Sequence, residues 1–192
     1  MQRPLLLMLA GLSTVLGVGV VDGKDCEGVS FPEEVQAEGT TLKLNGLGLR
    51  QATFMKVDGY VAALYVAQTS GDANAILESK APKEIILHFV RDVGHNDLNK
   101  GWDEGFEKNA RDGLPTLRER IETFKGLMAD MKTGQQLSFL HKPGEGIDVD
   151  VDGGLKGTIA GHDFARALFS IWLGSSPPNP GLKAGLVGGE CG

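Results

Sequence analysis

Arg50 is the residue whose type and position most directly raise a question of chemistry in this sequence. It ends a glycine-punctuated apolar run, LNGLGLR, and a second apolar segment that contains Tyr60 follows. Both segments have the character of buried strands, and a charge buried between strands must have a partner. Two interpretations follow: Arg50 holds an anion, either a ligand or an internal carboxylate, or it lies at the surface with its stem along apolar neighbours.

Other motifs that carry catalysis or metal binding are absent from the sequence. It has no glycine-rich phosphate loop, no G-x-S-x-G elbow and no H-E-x-x-H helix. The segment DVDVDG at 148–153 resembles the start of a calcium loop, but Ile159 stands where that loop requires a glutamate. The histidines offer no i, i+4 pair: His88, His95, His141 and His162. We therefore predict no metal site and no cofactor.

Length and charge set the class of protein. With 192 residues the chain suits one domain with a sizeable buried core. A hydrophobic content of 41% with 23% charged residues is ordinary for a folded protein. The net charge of −6 and the pI near 5.2 come without any run of lysine or arginine. We therefore expect no nucleic-acid partner and no binding to anionic lipid surfaces.

The first residues have the pattern of a secretory signal peptide. Arg3 precedes a long uncharged apolar stretch, and small residues follow up to a plausible cleavage site after Gly23. We expect residues 1–23 to be removed, leaving a single exported domain of residues 24–192 that is not attached to the membrane. The alternative is an uncleaved anchor, since the apolar stretch is just long enough to span a bilayer.

Two cysteines flank the expected domain, Cys26 near its start and Cys191 near its end. An exported chain reaches an oxidising compartment, in which cysteine thiols pair into disulfides. We predict a disulfide between Cys26 and Cys191 that ties the two ends together; the alternative is a pair of free thiols on frayed ends. Without neighbouring histidines the two cysteines do not make a zinc site.

The apolar pattern predicts strands, then helices, then a second group of strands and a last helix. Apolar runs between 29 and 68 indicate three to four antiparallel strands, with turn pairs at Asn45-Gly46 and Asp58-Gly59. KEIILHFV reads as a central strand, and QQLSFLHK, GIDVDVDG and LKGTIA form a meander. This order predicts an α+β fold with a mainly antiparallel sheet and helices on one face.

The helices are predicted from apolar residues at helical spacing. Asp97 is the predicted N-cap of a helix whose apolar face holds Leu98, Trp102 and Phe106. A second helix is predicted from 116 to 131, a short one over DANAILES, and an amphipathic one over FARALFSIWLG. The final segment, SSPPNPGLKAGLVGGECG, is predicted to be a proline- and glycine-rich tail without a compact element.

Four stretches of the chain carry the motifs of a known family: FPEEV, LNGLGLRQATFMKVDGYVAALYV, LHFVRDVGHNDLNKGWDEGFEKN and AGHDFARALFSIWLG. They resemble the chalcone isomerase superfamily, and more closely its bacterial exported chalcone isomerase-like branch. The G-x-R turn that leads into the strand around Tyr60 is the most specific of these motifs. The resemblance spans roughly residues 29–175 and implies an open-faced β-sandwich, a large antiparallel sheet with a layer of helices, in a periplasmic protein.

The resemblance also implies which catalytic groups this chain lacks. Chalcone isomerases use an arginine, a strand threonine, a helix tyrosine, an asparagine and a further hydroxyl to close a chalcone into a flavanone. The arginine falls on Arg50 and the strand threonine on Tyr60, but the helix positions fall on or near Leu98, Gly105 and Ala165. Because these three side chains donate no hydrogen bond to a developing enolate, the resemblance implies that catalysis is lost.

A second branch of the superfamily binds fatty acids through an arginine and a tyrosine, and Arg50 with Tyr60 matches that pair. A guanidinium can hold a carboxylate through two charge-assisted hydrogen bonds, and a phenol can donate a third. The resemblance thus predicts a small hydrophobic carboxylate as partner, with an acyl chain lying against Phe54, Leu64, Trp102 and Phe106. Two alternatives remain: an intramolecular lyase that works through Arg50 as its catalytic residue, and an inert structural or docking module. The oligomeric state is left open.

Overall fold

The computed structural model describes residues 23–52 and 57–191. In this part of the chain, helices cover one face of a seven-stranded antiparallel sheet and a short hairpin lies on the other. The strands are β1 Gly23–Cys26, β2 Val29–Pro32, β3 Glu34–Ala37, β4 Thr40–Ala52, β5 Val57–Val66, β6 Lys83–Phe89, β7 Gln136–Lys142, β8 Gly146–Val151 and β9 Gly154–Ala160. The helices are α1 Ala73–Glu78, α2 His95–Asn109, α3 Leu114–Gly126, α4 His162–Leu173 and α5 Pro180–Leu186. The predicted α+β class is confirmed.

The large sheet is a meander whose strands lie in chain order from β3 to β9. Its longest strand, β4, continues through the predicted turn pair Asn45-Gly46, where the pairing with β5 shifts in register. The side-chain amide of Asn45 donates to the carbonyl of Leu186 at 2.8 Å, so a contact distant in sequence holds this irregularity in place. Asp58-Gly59 likewise lie within β5. The predicted turns at both pairs are therefore wrong.

Each face of the large sheet has its own apolar core. Successive residues of β5 belong alternately to the two cores. Ala62 and Leu64 face the helices, whereas Val61 and Tyr65 face the β1–β2 hairpin. On the helix side, nearly every residue of α4 is buried. Since burial of apolar surface is the main favourable term in folding, α4 is the central element of the core on that side.

Two helix boundaries differ from the sequence prediction. Helix α2 has Gly94 as its N-cap, so Asp97 lies in the first turn, where its negative charge still favours the helix. Helix α3 ends at Gly126, and Met131 instead pairs with Val93 in an isolated β-bridge. Met131 is buried all the same, which explains why its apolar side chain fitted the helical pattern.

The C-terminal segment contains a helix where the sequence analysis predicted no compact element. Helix α5 buries Leu182 and Leu186 against the helix side of β4. The two backbones come close because Gly46 and Gly48 have no side chains: a Cβ added at Gly48 would lie 2.4 Å from the carbonyl oxygen of Leu182. Short helices are marginal alone, so α5 owes its stability to this packing.

Cys26 and Cys191 form a disulfide, with their Cα atoms 5.8 Å apart. Cys26 belongs to the hairpin on one side of the sheet, whereas Cys191 follows α5, whose leucines lie in the core on the other side. The pairing agrees with the one predicted from the sequence. The disulfide therefore links the segment that follows α5 to the β1–β2 hairpin.

The predicted signal peptide falls almost entirely outside the described residues. Gly23, the last residue before the predicted cleavage, is the first residue of β1 and pairs with Pro32. Across the described residues, no helix is both long and apolar enough to cross a bilayer. Cleavage after Gly23 stays a prediction.

Candidate functional site

Arg50 and Tyr60 lie side by side near one end of the large sheet. They are directly opposed residues of the antiparallel pair β4–β5, which places their Cβ atoms about 5 Å apart on one face. This face is the one that the helices cover. Gly46 and Gly48 precede Arg50 on it, so Arg50 is the first side chain beyond the part of β4 on which α5 lies.

A cavity of about 520 Å³ opens in front of this pair, between the sheet and helices α2 and α4. Its volume is within the range of roughly 300–1,000 Å³ that is usual for small-molecule sites. The segment Ser176–Pro178, which connects α4 to α5, forms part of the wall. The lining residues are Arg50, Gly59, Tyr60, Phe89, Arg91, Asp92, Val93, Asp97, Leu98, Gly101, Trp102, Glu104, Gly105, Lys108, Ile171, Ser176, Pro177 and Pro178.

The hydroxyl of Tyr60 is held by an indole from α4. Trp172 is fully buried, and its Nε1 donates to the Tyr60 oxygen at 3.0 Å. An indole nitrogen can only donate, so the phenol must accept this bond and keeps its own proton for another acceptor. Burial raises the pKa of Tyr60, and the Trp172 hydrogen bond and nearby Arg50 offset this only in part. Tyr60 is therefore a neutral donor at physiological pH.

Arg50 is half-buried beside the cavity, and its guanidinium donates to the backbone carbonyl of Gln51. Within residues 23–52 and 57–191, no carboxylate lies within ion-pair distance of it. A guanidinium has five N–H donors, so most of its hydrogen-bonding capacity is available to a ligand. The sequence analysis offered a ligand or an internal carboxylate as the anion held by Arg50. Among the residues that the structure describes, no internal carboxylate takes this role.

The polarity of the cavity changes from its rim to its interior. Exposed charged residues of both signs stand at the rim, including Arg91, Asp97 and Lys108. The interior wall is apolar and includes the buried Leu98 and Ile171. An apolar chain with a charged end would match this arrangement, because the interior offers hydrophobic burial next to one guanidinium.

The sequence as a whole matches one family. A sequence model of the family described as chalcone isomerase-like matches residues 23–188. The chain belongs to the chalcone isomerase-like family. The matched range contains every strand and helix of the structure, so the family resemblance extends beyond residues 29–175 at both ends. No curated protein matches the sequence.

A solved structure from a plant shares the fold of this family member. The Arabidopsis thaliana fatty-acid binding protein AtFAP1 superposes with a TM-score of 0.68, covering 86% of this chain and 99% of that chain at 17% identity. At this identity the similarity shows the fold alone. It confirms the architecture predicted from the sequence, a large curled antiparallel sheet with a layer of helices.

The structure brings together some of the predicted ligand-binding residues and separates others. Arg50, Tyr60 and Trp102 all line the cavity, and Phe54 lies outside the described residues. Leu64 is fully buried beneath the helices and does not reach the cavity. Phe106 lines a different depression, between α2 and α3. Neither residue lines the cavity beside Arg50, because a core-facing position on a strand or helix does not by itself place a residue at a cavity, and their part in ligand binding stays a prediction.

The positions that the resemblance matched to catalytic groups of chalcone isomerases lie partly at the cavity and partly in the core. Leu98 and Gly105 line the cavity, and neither side chain offers a hydrogen-bond donor there. Ala165 is fully buried in α4 and is absent from the lining. Among the polar groups close to the Arg50 end, Tyr60 and Arg50 itself therefore remain the natural candidates to contact an anion.

Three contributions to the site were missed by the sequence analysis. Phe89 packs edge-on against Tyr60, with ring centroids 5.7 Å apart, and Trp172 bonds to its hydroxyl. Ser176–Pro178 comes from the segment that was interpreted as a tail. The available signal was Trp172 itself, a large residue with one donor on the apolar face of an amphipathic helix, since such a donor requires a buried acceptor.

The structure shows no candidate metal centre in the part of the chain that it describes. No group of three or more potential ligands among histidine, cysteine, aspartate and glutamate comes together there. The calcium-like DVDVDG segment runs through β8 into the turn before β9, where Asp150 accepts a hydrogen bond from the amide of Gly153 at 2.7 Å. The segment is the end of the β8–β9 hairpin, which belongs to the meander predicted from the sequence.

Proposed function

We propose that this protein binds a fatty acid or a similar small hydrophobic carboxylate without transforming it. The observation that carries the proposal is the placement of Arg50 next to Tyr60 at a cavity of about 520 Å³ that has buried apolar residues in its interior wall. The fatty-acid binding protein AtFAP1, which has the same fold, supports the choice of ligand class.

The binding mode follows from the chemistry of the two residues. The planar guanidinium of Arg50 takes both carboxylate oxygens, and the Tyr60 hydroxyl, whose oxygen is occupied by Trp172, donates its proton to one of them. The acyl chain then lies against Leu98, Trp102 and Ile171. Each fully buried methylene contributes about 0.8 kcal/mol, so affinity rises with chain length until the cavity is filled.

An isomerase of the chalcone type is the alternative function. Cyclisation would require donors aimed at the oxygen where negative charge develops, and Leu98 and Gly105 supply none. Decay of chalcone absorbance that depends on the protein and disappears in Arg50→Ala would favour this alternative over simple binding.

Export to the periplasm is part of the proposal. It rests on the signal-peptide pattern of residues 1–23, and the Cys26–Cys191 disulfide suits an oxidising compartment. A carrier there would shield the acyl chain of its ligand from water.

Calorimetric titration with saturated acids from octanoate to stearate tests the binding mode. Charge-assisted hydrogen bonds contribute about 1.5 to 3 kcal/mol each, so Arg50→Ala should weaken binding by tenfold to several hundredfold and Tyr60→Phe by less. Arg50→Lys should not restore affinity, since an ammonium lacks the planar fork. Arg91→Ala is the matched control, because Arg91 lines the same cavity at its exposed rim.

Two results would contradict the proposal. One is equal affinity in the wild type and Arg50→Ala, which would make the arginine structural. The other is tight binding of hexadecanol, which shares the chain of palmitate but has no carboxylate for Arg50 to hold.

A further inference from the structure

Gly101 is a glycine that neither the backbone geometry nor the packing of the fold requires. It lies inside α2, without a positive φ angle, and a Cβ added there would meet nothing within 4 Å. Among the described residues, every other glycine with as much open space has a positive φ or ends a helix. Glycine inside a helix lowers stability relative to alanine, so Gly101 calls for an explanation other than the fold.

At Gly105, about one turn further along α2, packing does require glycine. A Cβ added there would lie 2.8 Å from Cγ2 of Ile171, so the missing side chain lets α2 and α4 approach each other. Both glycines line the cavity beside Arg50 and Tyr60. At Gly105 a side chain of the protein takes the free space, whereas at Gly101 the free space belongs to the cavity.

Helix α2 is fastened to another wall of the cavity near its C-terminal end. The Asn109 side chain donates to the carbonyl of Ser176 at 3.0 Å and accepts from the amide of Ser176 at 2.9 Å. Gly101 lies about two turns earlier and is exposed, although it lines the cavity. A residue that both faces solvent and lines a cavity lies at its mouth. Gly101 is therefore part of the opening, at a point of α2 that these hydrogen bonds leave unfastened.

The neighbouring residues of α2 show where a side chain at Gly101 would point. Leu98 and Gly105, at the i−3 and i+4 positions, line the same cavity, so all three residues share one face of the helix. Leu98 is buried and fills its part of the wall with an apolar side chain. A leucine at Gly101 would project from this face into the opening.

We propose that the ligand enters and leaves the cavity past Gly101, and that the missing side chain keeps this entrance wide enough for an acyl chain. This inference rests on the proposed binding of a hydrophobic carboxylate at Arg50 and Tyr60. Its place in the opening assigns Gly101 to the passage of the ligand rather than to the bound state. A side chain at this position raises the barrier in both directions of passage, so association and release slow by the same factor and the affinity stays the same.

Stopped-flow kinetics of the full chain with parinarate, a fluorescent fatty acid, test this assignment. Gly101→Leu should slow both association and release by about tenfold, and Gly101→Ala by about two- to threefold, with an unchanged dissociation constant. Gly101→Ala should also raise the melting temperature by about 1 to 4 °C, because alanine favours the helix. A variant that is more stable yet exchanges its ligand more slowly would not result from a damaged fold.

Asn96→Leu is the matched control for a more rigid helix. Asn96 is an exposed residue of α2 outside the cavity lining, and leucine favours the helix there as well. Its rates should equal those of the wild type. If leucine at Gly101 disturbs α2, Gly101→Ala carries the same test, since its Cβ meets nothing within 4 Å.

Failure of the inference and failure of the proposed function give different results. Unchanged rates in both Gly101 variants, or equal slowing in Asn96→Leu, would overturn the entrance at Gly101 alone. Faster release with unchanged association in Gly101→Leu would overturn it too, because Gly101 would then contact the bound ligand. Absence of parinarate binding by the wild type would overturn carboxylate binding itself.

Discussion

At the scale of single residues, the cations Arg50 and Lys83 on the helix side of the sheet have different environments. Arg50 faces a cavity, and its donors are largely available there. Lys83 is 2% exposed, and its Nζ donates to the carbonyl of Ile76 at 2.9 Å, near the C-terminal end of α1. It also lies 5.6 Å from the centre of the Phe169 ring. Lys83 is therefore a structural cation, whereas Arg50 has the surroundings of a binding residue.

Lys83 makes the stability of the fold depend on pH. Burial lowers the pKa of Lys83 from 10.5 to about 8, and the nearby Glu78 opposes this only in part. Between these values the unfolded chain holds a proton that the folded protein has released, so stability rises with pH. From about pH 7 to about pH 9.5 the wild type should gain about 2 kcal/mol relative to Lys83→Met.

Denaturant unfolding of the wild type and Lys83→Met at both pH values measures this difference. Lys43→Met, at an exposed position, is the control for removing a lysine charge. A stability difference between wild type and Lys83→Met that stays constant with pH would show that Lys83 remains protonated in the folded protein. The loss of its hydrogen bonds in Lys83→Met is an offset that does not change with pH.

At the scale of elements, the glycines of β4 decide where the chain's last helix lies. Gly46 and Gly48 give the backbone of α5 close access to the strand, and Asn179, just before α5, donates to the carbonyl of Leu49 at 3.0 Å. The same connection carries Ser176–Pro178 into the cavity wall. The glycine-rich run before Arg50 thus positions a part of the site that is distant in sequence.

Replacement of one glycine should therefore affect both stability and binding. In Gly48→Ala the new Cβ would meet the backbone oxygen of Leu182 at 2.4 Å, and backbone cannot move as freely as a side-chain tip. We expect a loss of about 1 to 3 kcal/mol in the free energy of unfolding, together with weaker fatty-acid binding as the wall shifts.

Thermal unfolding and palmitate titration check both effects. The matched control is Gly126→Ala at the end of α3, outside the cavity lining, where a Cβ meets nothing within 4 Å. That change should stabilise the helix by about 0.5 to 1 kcal/mol. Wild-type stability in Gly48→Ala would mean that α5 does not lie on β4 as described.

At the scale of the whole molecule, the two ends of the described chain are joined across the sheet. The Cys26–Cys191 bond closes a loop with a sequence separation of 165 residues. It fixes α5 from its C-terminal side, whereas the connection from α4 fixes it from the other. Since Ser176–Pro178 lies between these points of attachment, the disulfide indirectly supports the wall of the cavity.

Removal of the disulfide should lower stability and speed up ligand release. In the chain-entropy model, opening a loop of this length costs about 5 kcal/mol of stability, an amount that residual structure in the unfolded state reduces. Thermal unfolding and stopped-flow release of a fluorescent fatty acid should compare the wild type with the Cys26→Ser/Cys191→Ser variant. An unchanged melting temperature and release rate would exclude a supporting role, and alkylation of both thiols in the exported protein would show that the bond does not form there.

The sequence by itself determined most of the elements and their layering, though not helix α5. Periodicity along KEIILHFV and the three later strands predicted the meander, because side-chain alternation and turn composition are local properties. Trp102 and Phe106 were correctly placed on the buried face of a helix for the same reason. Arg50 and Tyr60 were paired from the family resemblance, and the strand register then placed them opposite each other.

Only the tertiary structure decided how the site is enclosed. The Trp172–Tyr60 hydrogen bond joins residues 112 positions apart, and the Asn45–Leu186 bond spans 141. Helix α5 has weak local propensity, with a proline and two glycines in its sequence PGLKAGL, and forms where the glycines of β4 leave room. Such contacts depend on the complete packing of the chain, so no local pattern could distinguish Trp102 at the cavity from Phe106 one turn further along the same helix.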